Sequence, residues 1–250
     1  MQPIVLDHLA FGLPNAAAVA GFVARLGAEP KSSGPGGNAF LWWQWEFAGG
    51  AALEMLEPTG PPDGFLHRFL AARGAGPHHL TFKVPSVREA IARAEARGYR
   101  PVGFDDSDPG WIEAFLHPKQ AQGIVVQLAE EHDEVYAEGG GGTWERPPFP
   151  SLPELGPTAR ARLLGVLLHS HSEERARLQW GELLGGAETR TGRGLRFSWP
   201  DSPLRVDVVI DAGAPEGPVS LELAADVPLD LPEGPHPLFG LPWVQRKEDG

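Results

Sequence analysis

The chain has 250 residues, 42% of them hydrophobic, which is enough to bury one or two cores. A formal net charge of −12 argues against nucleic acid or an anionic membrane surface as a partner, because phosphate binding needs a basic face. There is no cysteine, so disulfides, iron–sulfur clusters, thiolate zinc sites and thiol nucleophiles are excluded.

The chain enters a strand almost at once, Ile4 to Leu13, without a basic flank or apolar signal core, and no long apolar run follows. A cytoplasmic location is expected. Asn15 to Leu26 predicts a helix closed by Gly27, with Val19, Phe22, Val23 and Leu26 on one face. Lys31 to Gly37 reads as a glycine-serine loop. Asn38 to Phe47 is the most aromatic stretch, and as a strand it puts Leu41, Trp43, Trp45 and Phe47 on one face. That face is core or subunit contact. Phe40, Trp42, Gln44 and Glu46 take the mixed face, where Trp42 is a candidate for lining a substrate pocket. Gly49-Gly50 turns the chain into a strand from Ala51 to Leu56, and Phe65 to Arg73 reads as a short helix ending at Gly74.

Gly76-Pro77 then delivers the chain into a strand, His78 to Val84, with His79, Thr81 and Lys83 on one face and Leu80, Phe82 and Val84 on the other. The apolar face should pack under helices. A lone strand histidine is more often a hydrogen-bonded core residue than a ligand. This one is a repeat, however: 71 residues separate both His8 from His79 and Gly27 from Gly98. Ser86 to Arg97 answers the first helix, and strands are expected near Pro101 to Phe104, Trp111 to Leu116 and Ile124 to Leu128. His117 lies in a turn and reads as structural or solvated. Ala52 to Glu57 is answered by Val125 to Glu130, with 73 residues between Glu54 and Gln127. A fixed period with matched caps is an internal duplication, each copy reading strand, helix, then several strands.

Period-two alternation puts His8, Glu54, His79 and Gln127 on compatible faces, each flanked by apolar residues that want the covered side. Two imidazoles, a carboxylate and an amide oxygen suit a divalent first-row ion: Co, Ni, Zn, Mn or Fe. The alternative is four separately satisfied polar residues in a wet cleft.

From about Val5 to Glu130 the chain resembles the vicinal oxygen chelate superfamily, and within it glyoxalase-like proteins and the methylmalonyl-CoA epimerases. The resemblance is carried by Leu6-Asp7-His8, Leu53 to Pro58, His78 to Phe82, Phe115 to Lys119 and Gly123 to Glu130. It implies an α+β fold of paired βαβββ modules whose mixed sheet curls around a metal cleft. It also implies His8, Glu54, His79 and Gln127 as ligands. The implied mechanism is bidentate chelation of substrate, with enolate stabilisation while a base moves a proton. In the epimerase pattern the second ligand is usually an amide and the fourth a carboxylate, whereas here Glu54 is second and Gln127 fourth. An amide cannot usefully accept a proton near neutral pH. The second acid expected on the early strands falls near Leu41 to Gln44, where none stands, so Glu46 and Glu113 are the substitutes. Glu54 and Glu113 are the candidate catalytic carboxylates, and Trp42 and Thr81 the candidate substrate contacts.

Beyond Glu130 the character changes. Residues 132–157, with Gly139 to Gly142 and a proline-rich run, read as a linker after a glyoxalase-like domain over 1–131. Residues 158–250 predict a degenerate, metal-free second half. A strand starts near Leu163, a helix runs from Glu173 to Leu184, and strands follow at Gly194 to Trp199, Arg205 to Ile210 and Val219 to Ala224. Superposing Leu163 on Leu6 puts Gly165 where His8 stands, and His169 and His171 read as a solvated strand end. The expected protein is a monomer with an internal pseudo-dimer, or a homodimer. It acts on a small molecule, as a metal-dependent isomerase, lyase or dioxygenase, or alternatively as a drug-resistance-type binding protein without chemistry.

Overall fold

The computed structural model describes residues 3–137, 145–152 and 158–247. A first module runs β1 (Val5–Gly12), α1 (Ala17–Arg25), β2 (Glu29–Gly36), β3 (Phe40–Glu46) and β4 (Ala52–Pro58). After α2 (Phe65–Arg73) the plan repeats as β5 (Gly76–Lys83), α3 (Val87–Glu95), β6 (Val102–Asp108), β7 (Trp111–Leu116) and β8 (Val125–Glu131). The eight strands form one mixed sheet in the order β2-β3-β4-β1-β5-β8-β7-β6. In each module the first and last strands pair in parallel, β1 with β4 and β5 with β8, and the other two extend outward antiparallel. The α+β class and the duplicated βαβββ plan are therefore both present.

The rest of the chain is α4 (Asp133–Ala137), β9 (Arg162–Ser170), α5 (Glu173–Ala176), a π-helix over Arg177–Leu183, β10 (Ala187–Thr191), β11 (Gly194–Ser198), β12 (Arg205–Ile210), β13 (Gly217–Ala224) and β14 (Trp243–Gln245). Its strands make a second sheet, β10-β11-β12-β9-β13-β14. That order reproduces β2-β3-β4-β1-β5 position for position, so the C-terminal half is a further copy of the plan. The helix expected over Glu173 to Leu184 is one turn of α-helix passing into the wider π-helix. β10 carries a single apolar residue, Ala187, and β14 is only three residues long, so alternation does not reveal them.

One expectation is corrected in the first module. The glycine-serine loop over Lys31 to Gly37 is strand β2, in register with β3 at Gly34↔Trp42 and Gly36↔Phe40. Its glycines make room for rings: a Cβ at Gly34 would lie 2.6 Å from Cζ2 of Trp42. Aromatic cross-strand neighbours cover edge-strand glycines in this way, so a composition that suggests a loop is compatible with a strand.

The chain gathers into two compact units, each discontinuous in sequence and each holding residues from both sides of 132–157. The first comprises Met1–Asp7, His79–Thr143 and Val166–Pro218. In it Phe82, on the apolar face of β5, packs against Trp180 and edge-on against Trp199, with centroids 6.3 and 5.0 Å away. The second comprises His8–His78, Trp144–Gly165 and Val219–Gly250. There Phe11 meets Phe239 edge-on at 5.4 Å, and Phe22 of α1 meets Trp243 at 5.2 Å. The apolar strand faces are thus covered by aromatic residues of the C-terminal half as well as by helices. Within the expected linker, Gly139 to Gly142 lie outside the described residues. The stretch 145–152 is held down: Ser33 donates to the Pro147 carbonyl at 2.7 Å, and Phe149 packs edge-on against Trp45. Among the described residues no helix is long and apolar enough to cross a membrane.

Candidate metal centre

β4 has only apolar neighbours around Glu54, with Leu53 and Met55 fully buried, so the carboxylate is forced to the opposite face. β1 does the same for His8 ahead of buried Leu9, and β5 for His79 ahead of Leu80. His8, Glu54 and His79 are 2%, 8% and 6% exposed. Their ligand atoms all lie within 4.8 Å of one another, and Nε2 of His8 is 3.5 Å from Oε2 of Glu54. Burying a carboxylate demands strong partners. Gln44, directly opposite Glu54 in the β3–β4 register, donates from Nε2 to Oε1 of Glu54 at 3.3 Å. Ser32, opposite Gln44 on β2, donates to the Gln44 amide oxygen at 3.2 Å, which fixes the amide's orientation. Two imidazole nitrogens and a carboxylate oxygen, buried and gathered within one coordination sphere, fit a divalent first-row ion.

The fourth expected ligand sits in a different network. Gln127, 7% exposed, accepts from the Thr81 hydroxyl at 2.5 Å and donates from Nε2 to Oε2 of Glu113 at 2.6 Å. The Trp111 indole donates to the same Glu113 oxygen at 2.9 Å. Thr81, expected as a substrate contact, is fully buried and its hydroxyl holds the Gln127 amide oxygen. Glu46 sits at the exposed end of β3, paired with Lys31 at 3.0 Å, and is not brought to the ligand set. Trp42 is half-buried and packs with Phe40 and Phe69 against Ala10, Leu56 and Leu66.

Residues 7–115 match the profile of the glyoxalase/bleomycin resistance protein/dioxygenase superfamily. Over this segment the chain is similar to that superfamily. The chain is 26% identical over 131 residues to the mitochondrial methylmalonyl-CoA epimerase of Homo sapiens, covering 50% of this chain and 73% of the relative. It is 30% identical over 96 residues to the uncharacterized protein YqjC of Bacillus subtilis, covering 36% of this chain and 66% of that protein. A mutant of 4-hydroxymandelate synthase from Streptomyces coelicolor superposes with a TM-score of 0.57 at 13% identity, over 91% of this chain and 72% of that one. That likeness is one of fold, and it reaches across the C-terminal half.

Alternation alone does not single out two polar neighbours of Glu54, Gln44 and His78. Gln44 was placed on the mixed face but given no partner. Counting back from the Gly49-Gly50 turn pairs Glu46 with Ala52 and therefore Gln44 with Glu54, so the signal was present. His78 stacks edge-on against Phe69 at 4.9 Å and near Phe65 at 5.7 Å. Burial lowers its pKa to about 4, against an opposing pull from the Glu54 charge. Nothing in the alternation distinguished it from an ordinary core histidine.

Proposed function

We propose that the chain is a metal-dependent enzyme that moves a proton at the carbon next to a carbonyl, on a small carbonyl or acyl-CoA substrate. The buried His8, Glu54 and His79 set, with ligand atoms all within 4.8 Å, is the observation that carries this reading. A divalent ion bound there (Co, Ni, Zn, Mn or Fe) would supply Lewis-acid polarisation of a carbonyl oxygen. The similarity to methylmalonyl-CoA epimerase supports the acyl-CoA class.

Every other task falls to this chain's residues. Gln44 holds the Glu54 carboxylate in one orientation. Glu113 is the base we assign: two donors on one of its oxygens, Trp111 and Gln127, fix its direction. Gln127 accepts no proton; with its oxygen held by Thr81, it positions Glu113 and keeps a second lone pair for the fourth ligand place. With this reading go a glyoxalase-like domain over 1–131, a linker over 132–157 and a related half over 158–250. A cytoplasmic location belongs to it too, with either a monomer carrying an internal pseudo-dimer or a homodimer.

Deuterium wash-in to methylmalonyl-CoA, read by mass spectrometry, tests the proposal in cobalt-loaded and chelator-treated protein. Exchange is expected only with metal. Absence of exchange in protein that holds metal counts against a methylmalonyl-type acyl-CoA substrate and favours a binding protein that sequesters its ligand without chemistry.

A further inference from the structure

The sheet face that carries the candidate ligands does not stay polar. Register lays it out in rows: Ala10, Glu54 and Gln44 stand in one, and Gly12, Leu56 and Trp42 in the next. The rows are two residues apart along each strand, about 7 Å. The second row is apolar, and glycine makes it flat. A Cβ on Gly12 would lie 2.8 Å from Cε1 of Phe69, and one on Gly36 2.2 Å from Cζ of Phe40. With Gly34 beneath Trp42, three glycines each seat a ring directly against backbone, a closeness that any side chain would prevent.

A closed core would hide such rings. Here Phe65 of α2, edge-on to Phe40 at 5.5 Å, is 40% exposed, while Phe40 and Trp42 are only half-buried. On the same sheet face as Glu54 and Gln44, Trp42 stands one row on and Phe40, opposite Pro58, two rows on. Ligand sites combine a few convergent polar groups with an apolar, often aromatic, wall.

We propose that Phe40, Trp42, Phe65 and Phe69 form a seat for an aromatic or bulky apolar group on the substrate, carried next to the oxygens directed at His8, Glu54 and His79. The inference rests on the proposed metal-dependent reading and narrows its substrate class: the acyl or carbonyl compound bears a flat apolar substituent where methylmalonyl compounds bear a methyl. Ring against ring, edge-to-face and offset contacts reward such a group beyond its simple burial.

Benzylmalonate and methylmalonate are the probes, since both offer paired carboxylates and differ only in the group the seat would hold. Isothermal titration of the zinc-loaded protein should give at least ten-fold tighter binding of benzylmalonate. Phe65→Ala, at an exposed position, should remove most of that preference while leaving methylmalonate within two-fold of wild type. A preference under two-fold in wild type, no binding of either probe, or equal weakening of both probes by Phe65→Ala overturns the proposal. Zinc content is read on the same samples. A protein that holds no zinc yet prefers benzylmalonate upholds the aromatic seat and removes the metal; a protein that holds zinc without any preference does the reverse.

Discussion

The β3–β4 and β7–β8 hairpins are built alike and used differently. Each inner strand sets a polar residue between apolar neighbours, Glu54 in β4 and Gln127 in β8. Directly opposite stand Gln44 in the first hairpin and Phe115 in the second. One pleat further along, Trp42 faces Leu56, whereas Glu113 faces Ala129. The first hairpin therefore has its carboxylate on the inner strand and an amide across from it. The second has the amide on the inner strand and the carboxylate on the diagonal, where side chains still reach one another. A duplicated scaffold fixes where polar groups stand, not which charge they carry. Each hairpin keeps one carboxylate with one amide donor beside it, which avoids two like charges at hydrogen-bonding distance.

The sharpest way to break this comparison is to ask whether the inner-strand carboxylate serves a metal. Elemental analysis of protein purified without chelator should find about one divalent ion per chain, and His79→Ala should lose nearly all of it, because removing one of few ligands collapses affinity. Equal, negligible metal in both proteins would make Glu54 and Gln44 a buried hydrogen-bonded pair with no ion to hold.

The second test exchanges the hairpins' charges. Glu113→Gln should slow deuterium exchange by roughly a hundred- to ten-thousand-fold, the usual contribution of a general base, with metal content unchanged. Gln127→Glu alone sets two carboxylates where Nε2 of Gln127 now lies 2.6 Å from Glu113, so one of them holds its proton and the rate at neutral pH falls. The double variant Glu113→Gln, Gln127→Glu restores one carboxylate and one amide, and it should recover part of the rate lost in Glu113→Gln. A double variant as slow as the single one would show that Glu113 acts through its position rather than as the nearest carboxylate. A single Glu113→Gln at full rate would remove it from the reaction.

Much of this site was legible because strand alternation and a repeat of 71 to 73 residues are properties of the chain itself. His8, Glu54 and His79 could be put on one side without knowing any contact. What stayed hidden depended on cross-strand register. The Gln127–Glu113 and Thr81–Gln127 bonds join residues 14 and 46 positions apart, and alternation alone cannot say which residues meet. β2 was hidden for another reason: its composition is that of a loop, and only the rings of Trp42 and Phe40 explain why its glycines sit in a strand. Gly36→Ala should accordingly cost about 1–3 kcal/mol in a urea titration, as overpacking does, since the Phe40 ring occupies the space of the new methyl. An unchanged midpoint would mean the ring moves aside freely and the edge is looser than its register implies.

The smallest expected effect separates the two modules by pH. Against α1 of the first module lies a histidine with lowered pKa, His236, pulled down by burial, with its ring 4.3 Å from Phe22; His78 of β5, against Phe69 of α2, is pulled down to about 4 by the same cause. An unfolded imidazole titrates near 6.5, so below about pH 7 the unfolded chain takes up protons that the folded chain refuses. Stability conferred by these groups is present at neutral pH and falls as the pH drops toward the folded value. In the second module Tyr99 and Lys83 act at the other end. Burial pushes the Tyr99 hydroxyl up to about 12. Lys83 is drawn down by burial, but Asp7 and Glu131 outweigh this and leave its pKa raised. Above about pH 10 the unfolded forms of both lose protons first, so stability falls as the pH rises. His236→Phe should therefore flatten the acid side of a plot of melting temperature against pH in metal-free protein and leave the alkaline side unchanged. Tyr99→Phe should do the opposite. Each substitution also shifts stability uniformly, since Nδ1 of His236 accepts from the Leu238 amide at 3.2 Å, and only the change of slope reports the titration. Parallel curves for wild type and both variants would show that neither burial is felt as a proton-linked stability, and that the two modules do not differ in this respect.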